Sequence, residues 1–319
     1  MKMKRTRNLS ALKTATLWLV LSSPLVAEEG GAGHYIPGAM GTLIDTPPTK
    51  PGWVAEPIYM HYSGSASISR AFPKAGLLTT GLEASSDAAM LGAFYTFEPK
   101  VLGAHYTIGA FLPFVSIEVT GAVSSALGQR QRTDSVTGLG DISFIPAMLA
   151  WKSASWQFDA LLTFYAPTGD YEVGRLANPG LNYWTIDPTI GFNYNNEKTG
   201  FNCALHTGIT LNTENNDTYY QSGSVLHSEA SVTQLLPLGK GYLGIGANAF
   251  LYEQVTGDRG AGATLGNFAS SSVGIGPALS YILPLGKKTL VTEVKWIPEQ
   301  DTKRRLEGDG IWVKVAFQI

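Results

Sequence analysis

Apolar and polar residues alternate along much of the chain beyond residue 50. From 201 to 211, Phe201, Cys203, Leu205, Ile209 and Leu211 share one face, and Asn202, Ala204, His206, Gly208 and Thr210 the other. From 184 to 194, Trp184, Ile186, Ile190, Phe192 and Tyr194 oppose Thr185, Asp187, Thr189, Gly191 and Asn193. Trp156, Phe158, Ala160, Leu162 and Phe164 oppose Gln157, Asp159, Leu161 and Thr163, and Leu290, Thr292, Val294 and Trp296 oppose Val291, Glu293 and Lys295. The last ten residues, GIWVKVAFQI, set Ile311, Val313, Val315, Phe317 and Ile319 against Trp312, Lys314, Ala316 and Gln318. A period of two is that of a strand, whose successive side chains point to opposite faces. Together with turn signals, the pattern predicts strands near 53–63, 88–98, 103–117, 139–151, 155–166, 183–195, 200–211, 224–235, 241–255, 272–283, 289–297 and 309–319. The segments 53–63 and 139–151 alternate poorly.

The connections between these strands alternate in length. Those near Glu98-Pro99-Lys100, Lys152-Ser153-Ala154, 196–199, 236–240 and 283–288 are tight, whereas 64–87, 118–138, 167–182, 212–223, 256–271 and 298–308 are long. Short turns on one rim and long loops on the other are the pattern of an outer-membrane barrel. A Greek-key sandwich has no reason to alternate so regularly. The expected fold is therefore all-β: a closed antiparallel transmembrane barrel of about 12 strands, with short periplasmic turns and long extracellular loops. The oily faces, with aromatics toward their ends, would meet lipid, and Trp312, Lys314 and Gln318 the lumen. The last strand would pair with the first and remove both edges. It also resembles the signal read by the outer-membrane assembly machinery, with Ile319 where an aromatic is usual.

The N-terminus changes the picture of charge. Lys2, Lys4, Arg5, Arg7 and Lys13 precede an apolar run from Thr14 to Val26, and Ala27 precedes Glu28-Glu29. That layout is a secretory signal peptide, 1–27, too short for a comfortable membrane anchor. Its removal takes Lys+Arg from 23 to 18 against 25 Asp+Glu, a net charge of −7. An acidic chain with no basic tract is a poor nucleic-acid binder. Cys203 is the only cysteine, so there is no disulfide framework and no cysteine metal cluster.

Several stretches then resemble one family. They are GGAGHYIPG at 30–38, PPTKPGW at 47–53, GLGDISFIP at 138–146, YAPTGDY at 165–171, LANPGLNYWTIDPT at 176–189, NTENNDTYYQSGSVLH at 212–227, YEQVTGD at 252–258 and GIGP at 274–277. In this order they resemble the "putative MetA-pathway of phenol degradation" proteins, outer-membrane proteins often found beside aromatic-catabolism genes. The resemblance implies a channel for small apolar or aromatic compounds in the outer membrane of a Gram-negative bacterium. The YAPTGDY and Asn178-Pro179-Gly180 stretches also read plainly as turns that shape a loop.

Candidate chemistry follows the faces. Glu56, Asp159, Asp187, His206, His227, Glu229, Asn248, Glu293, Lys295 and Lys314 are expected inside the barrel, as a charge-paired structural lumen or as the lining of a path. Glu293 and Lys295 share a face and Lys314 lies on the neighbouring strand, within reach of cross-strand pairing. Residues 28–52 read as extended and loop-like. Their alternatives are a disordered periplasmic tail and a lumen plug anchored by His34, Tyr35 and Ile36. Tyr171, Tyr219 and Tyr220 offer aromatic surface in the long loops. The spacings contain no metal site, and no cofactor is expected. The expected partners are outer-membrane lipid and lipopolysaccharide, the assembly machinery and a small hydrophobic or aromatic ligand. Two other functions stay open: a structural or surface protein, and a lipid hydrolase using His61 and Ser63, two apart on one face but with no third group evident to orient the histidine.

Overall fold

The computed structural model of the chain describes residues 29–67, 71–125, 128–266 and 269–319; the expected signal peptide, 1–27, lies outside them. Its strands are β1 (Gly52–Ser65), β2 (Ala71–Lys74), β3 (Leu77–Thr96), β4 (His105–Ser125), β5 (Gly128–Leu139), β6 (Ser143–Ser153), β7 (Trp156–Tyr165), β8 (Thr185–Asn196), β9 (Phe201–Asn212), β10 (Val225–Leu238), β11 (Gly241–Gln254), β12 (Ser271–Leu285), β13 (Lys288–Lys303) and β14 (Glu307–Gln318). The wall runs β1-β3-β4-β6, then in chain order from β7 to β14, and back to β1, every pair antiparallel. Closure comes from the last strand on the first, from Val54 opposite Gln318 to Ser65 opposite Glu307. A twelve-strand closed sheet leaves no open edge for lipid to meet.

All twelve expected strands are wall strands. The expected long connections at 64–87, 118–138 and 298–308 are largely strand instead. β2 folds back on the outer end of β3, and β5 pairs with the outer half of β4, so the wall rises beyond the regular barrel on this side. β13 runs on to Lys303, and only 304–306 separate it from β14. In β5 both faces of GQRQRTDS, at 128–135, are polar, so hydrophobic alternation could not announce a strand there. The inner side of the extension packs Phe72, Leu82, Val119 and Leu306 into a small core of its own.

The outward face is apolar: Phe158, Ile190, Leu205 and Val294, on faces the alternation assigned to lipid, are exposed, and so are Val232, Ile245, Ile275 and Leu279. At the short-turn rim the aromatics form a girdle, with Trp53 against Tyr95 at 5.0 Å, Phe97 stacked on Tyr106 at 5.2 Å and Trp156 against Tyr194 at 4.4 Å. The inward face is not uniform. From β7 to β11 it is polar: Asp159, Asp187, His206, His227, Glu229 and Asn248 are all buried. From β1 to β4 it is mostly apolar, Glu56 apart, with Ile58, Met60 and Ala88 buried and Met90, Phe111 and Val115 packed against them. This explains the poor alternation of 53–63: both of its faces are oily.

The irregular 139–151 stretch has a different cause. β5 and β6 both run antiparallel to β4, so they form one long strand interrupted at 140–142. The ladder also slips between Phe144 and Ala147, around Pro146, where a strand lacks its donor. At the interruption the backbone turns to the loop that follows β7: Ala166 N–H donates to the Ile142 carbonyl at 2.9 Å and Asp170 N–H to that of Leu139 at 3.1 Å.

Candidate functional site

Residues 29–51 carry no strand, and their side chains and backbone meet the inward-facing residues of the wall. Two glycines make that contact close. Gly38 and Gly41 have φ of +89° and +90°, and a Cβ would lie 2.5 Å from Trp312 Nε1 at the first and 2.6 Å from Glu229 Cβ at the second. Only glycine takes that conformation and leaves that space.

Glu229 is the hub of the upper part. Its Oε1 accepts from the Tyr35 hydroxyl at 3.0 Å, Gly38 N–H at 2.9 Å and Met40 N–H at 3.3 Å. The Tyr35 ring stacks on His227 at 4.0 Å, and His227 Nε2 lies 2.9 Å from Asp187. His34 stacks on Tyr165 at 4.9 Å and reaches Thr185 Oγ1 at 2.7 Å and Asp141 at 3.0 Å. Ile36 is partly buried against the same apolar cluster as Tyr35. Asn248 is buried where the segment crosses β11, its amide donating to the Ala230 carbonyl at 3.2 Å.

Lower down, Asp45 organises the charges. It pairs with Lys314, which also donates to the Ala39 carbonyl at 2.6 Å, and it lies 3.8 Å from Lys295. Lys295 is 3.6 Å from Glu293, which accepts from the Thr42 hydroxyl at 2.9 Å. The expected cross-strand meeting of Glu293, Lys295 and Lys314 is present, with Glu293 opposite Lys314 in register. The residue that joins them, Asp45, was invisible in the sequence because it sits in the irregular segment. Glu56 is buried beside this cluster. Asp159 lies apart, held by Gln157 at 2.8 Å and Asn193, with His206 3.9 Å away.

The segment fills the polar side of the lumen and leaves the apolar side open. A groove of about 330 Å³ runs between residues 31–39 and the β1, β3 and β4 wall, lined by Ile58, Met60, Met90, Phe111, Val115 and Ile117. A second cavity, also about 330 Å³, opens near the short-turn rim, between residues 43–50 and Val54, Phe94, Met148 and Trp156. Between the two stand the Asp45 cluster and the edge-to-face pair of Phe94 and Phe111, 5.2 Å apart.

Three stretches singled out in the sequence meet at the wall interruption. Asp141 accepts from Gly169 N–H at 2.8 Å, Leu181 N–H at 2.7 Å and His34. Gly169 packs so tightly that a Cβ there would lie 2.8 Å from both the Gly140 carbonyl carbon and Gly180 Cα. The turn reading of YAPTGDY and Asn178-Pro179-Gly180 thus gains a partner, the N-terminal segment through His34.

Two expectations need correction. Tyr220 offers no loop surface: it is 2% exposed and donates to Asp258, whereas Tyr219 is exposed and Tyr171 half-buried. The pair His61 and Ser63 does have a third group, Asp87, 2.9 Å from His61 Nδ1 on the outer face. Among the described residues no hydrogen bond joins Ser63 to His61, the contact a serine nucleophile would need. Sequence reasoning missed the apolar groove residues. The oily inner face of 53–63 was their signal.

A family model described as "Putative MetA-pathway of phenol degradation" matches residues 65–315. No curated protein matches the chain. Among solved structures, an outer membrane channel from Pseudomonas putida F1 is similar with a TM-score of 0.60 at 15% identity, over 88% of this chain and 98% of that one. The β domain of the Bordetella autotransporter BrkA gives a TM-score of 0.51 at 10% identity, over 85% of this chain and 100% of that one. At such identities the likeness is one of fold, that of an outer-membrane β-barrel.

Proposed function

The chain belongs to the family described as "Putative MetA-pathway of phenol degradation", and from that premise we propose that it is an outer-membrane channel for small apolar or aromatic compounds. The observation that supports this reading best is the apolar groove inside the barrel. An outer-membrane barrel that served only water-soluble cargo would line its lumen with polar groups. Here Ile58, Met60, Met90, Phe111 and Val115 face inward, beside a few placed polar groups, as in a site for an apolar ligand.

In this reading residues 1–27 are a signal peptide, residues 28–52 plug the lumen, and the short-turn rim faces the periplasm. A ligand enters among the long loops, near Tyr171 and Tyr219, and descends the groove. Passage to the lower cavity requires the plug to shift at the Asp45 cluster. The polar contacts of the plug are individually modest, about 0.5–1.5 kcal/mol for neutral hydrogen bonds and about 1.5–3 for those to charged groups. They hold it without making it part of the wall.

The test is uptake of an aromatic hydrocarbon by cells making the intact protein, a variant lacking residues 30–50, or neither. The intact protein should raise uptake, and the deletion should raise it further while the barrel still folds. One rate for all three, with both proteins folded in the outer membrane, would overturn the transport reading and leave the surface-protein alternative in front.

A further inference from the structure

The loop end of the groove carries four charged side chains: Lys74, Asp141, Glu299 and Arg305. Three of them are engaged. Asp141 has the three donors given above. Glu299 accepts from the Tyr62 hydroxyl at 2.9 Å and Gly308 N–H at 3.0 Å through Oε2, and it forms an ion pair with Arg305, whose Nη2 lies 3.2 Å from Oε1. The Arg305 guanidinium also lies over the Tyr252 ring, 4.1 Å from its centroid.

Lys74 differs. It ends β2, is 8% exposed, and lines the groove. Among the described residues no hydrogen bond reaches its ammonium, and its electrostatic partner is Glu29. The Glu29 carboxylate is itself turned to the backbone N–H groups of Ala75 and Gly76. Burial pushes the Lys74 ammonium below the ordinary lysine range, and Glu29 only partly opposes it. A buried charge without a hydrogen-bonded counter-ion is costly. An anion arriving in the groove would offset that cost.

Below Lys74 the groove is apolar and rich in flat or polarizable surface, with Tyr62, Met60, Met90, Phe111 and Trp312. At about 330 Å³ it stands at the small end of ligand sites, which span about 300–1,000 Å³. We propose that the groove binds compact amphiphiles, an aromatic body with one carboxylate, whose anionic head rests on Lys74. This rests on the channel reading above and narrows its ligand class: the apolar body is held by the wall and the head by the loop-end lysine. Arg305, tied to Glu299, borders the head without being its main partner.

The test is equilibrium binding to the full mature protein in lipid nanodiscs, with empty nanodiscs as blank. The probes are 2-naphthoate, its neutral isostere 2-naphthamide, and acetate. Wild type should bind naphthoate about tenfold more tightly than naphthamide. Lys74→Met should lower naphthoate affinity about tenfold and leave naphthamide unchanged, while Lys74→Arg keeps the preference. Equal affinities in wild type, or an unchanged preference in Lys74→Met, would overturn the anionic-head proposal while naphthamide binding still upholds the apolar groove. Acetate binding as tightly as naphthoate would mark Lys74 as a site for an adventitious ion only, and overturns it too. If neither naphthyl probe binds, the groove reading itself fails. Heat-modifiable migration on gels verifies that each variant has folded; a Lys74→Met protein that misfolds leaves the Lys74→Arg and wild-type preferences to decide.

Discussion

Replacing Glu229 by Ala removes the acceptor shared by the Tyr35 hydroxyl, Gly38 N–H and Met40 N–H. All three donors belong to the N-terminal segment, and Glu229 itself is fully buried. A hydrogen bond to a charged group contributes about 1.5–3 kcal/mol. The two shorter contacts, at 2.9 and 3.0 Å, counted at the low end, give about 3 kcal/mol of docking free energy. At about 1.4 kcal/mol per tenfold, the segment should open about 100 times more often. Native-state amide exchange reads this directly. The useful amides are those not bonded to Glu229: Ala39 N–H, which donates to Ile36, and Asp45 N–H, which donates to Thr42. Their exchange should rise about 100-fold in Glu229→Ala, while the amides of β9 to β11 keep wild-type protection. Glu229→Gln keeps one acceptor oxygen and loses only the charge, so its rise should be nearer tenfold. Wild-type exchange of Ala39 and Asp45 in Glu229→Ala would show that the segment is held elsewhere and refute this assignment of the hub.

Leu205, exposed at the middle of β9, should tolerate Arg poorly, at about 2–4 kcal/mol if it sits at the bilayer midplane, whereas Ser86→Arg in the groove should cost less; urea titrations of folding into lipid vesicles compare the two, and equal costs would contradict the face assignment. Gly169→Ala should force apart the packed backbones of Gly140 and Gly180, costing about 1–3 kcal/mol, and proteolysis within 166–182 should quicken. His34→Ala removes its contacts with Asp141 and Thr185, so protease should reach residues 31–37 faster while the barrel itself stays resistant.

The strand count, the wall order and the lipid face were legible in the sequence because each depends on a local pattern. A residue such as Leu205 or Val294 must alternate with polar neighbours wherever one face meets lipid and the other a polar lumen. The polar wall candidates from Asp159 to Lys314 could be named for the same reason. The apolar half of the lumen defeated that logic: Ile58 and Met60 are as oily as the lipid-facing Tyr59, and period-two contrast vanishes when both faces are apolar. Nor could pattern reveal Asp45, Asp141 or Lys74. Each sits at the end of a strand or outside one, where no periodicity constrains the side chain. The roles of Asp45 and Asp141 arise from residues more than a hundred positions away, Lys314 and His34. The alternation of the chain decides that a barrel forms. Which side of its interior is oily, which is charged, and what crosses between them is decided only when closure brings distant residues together.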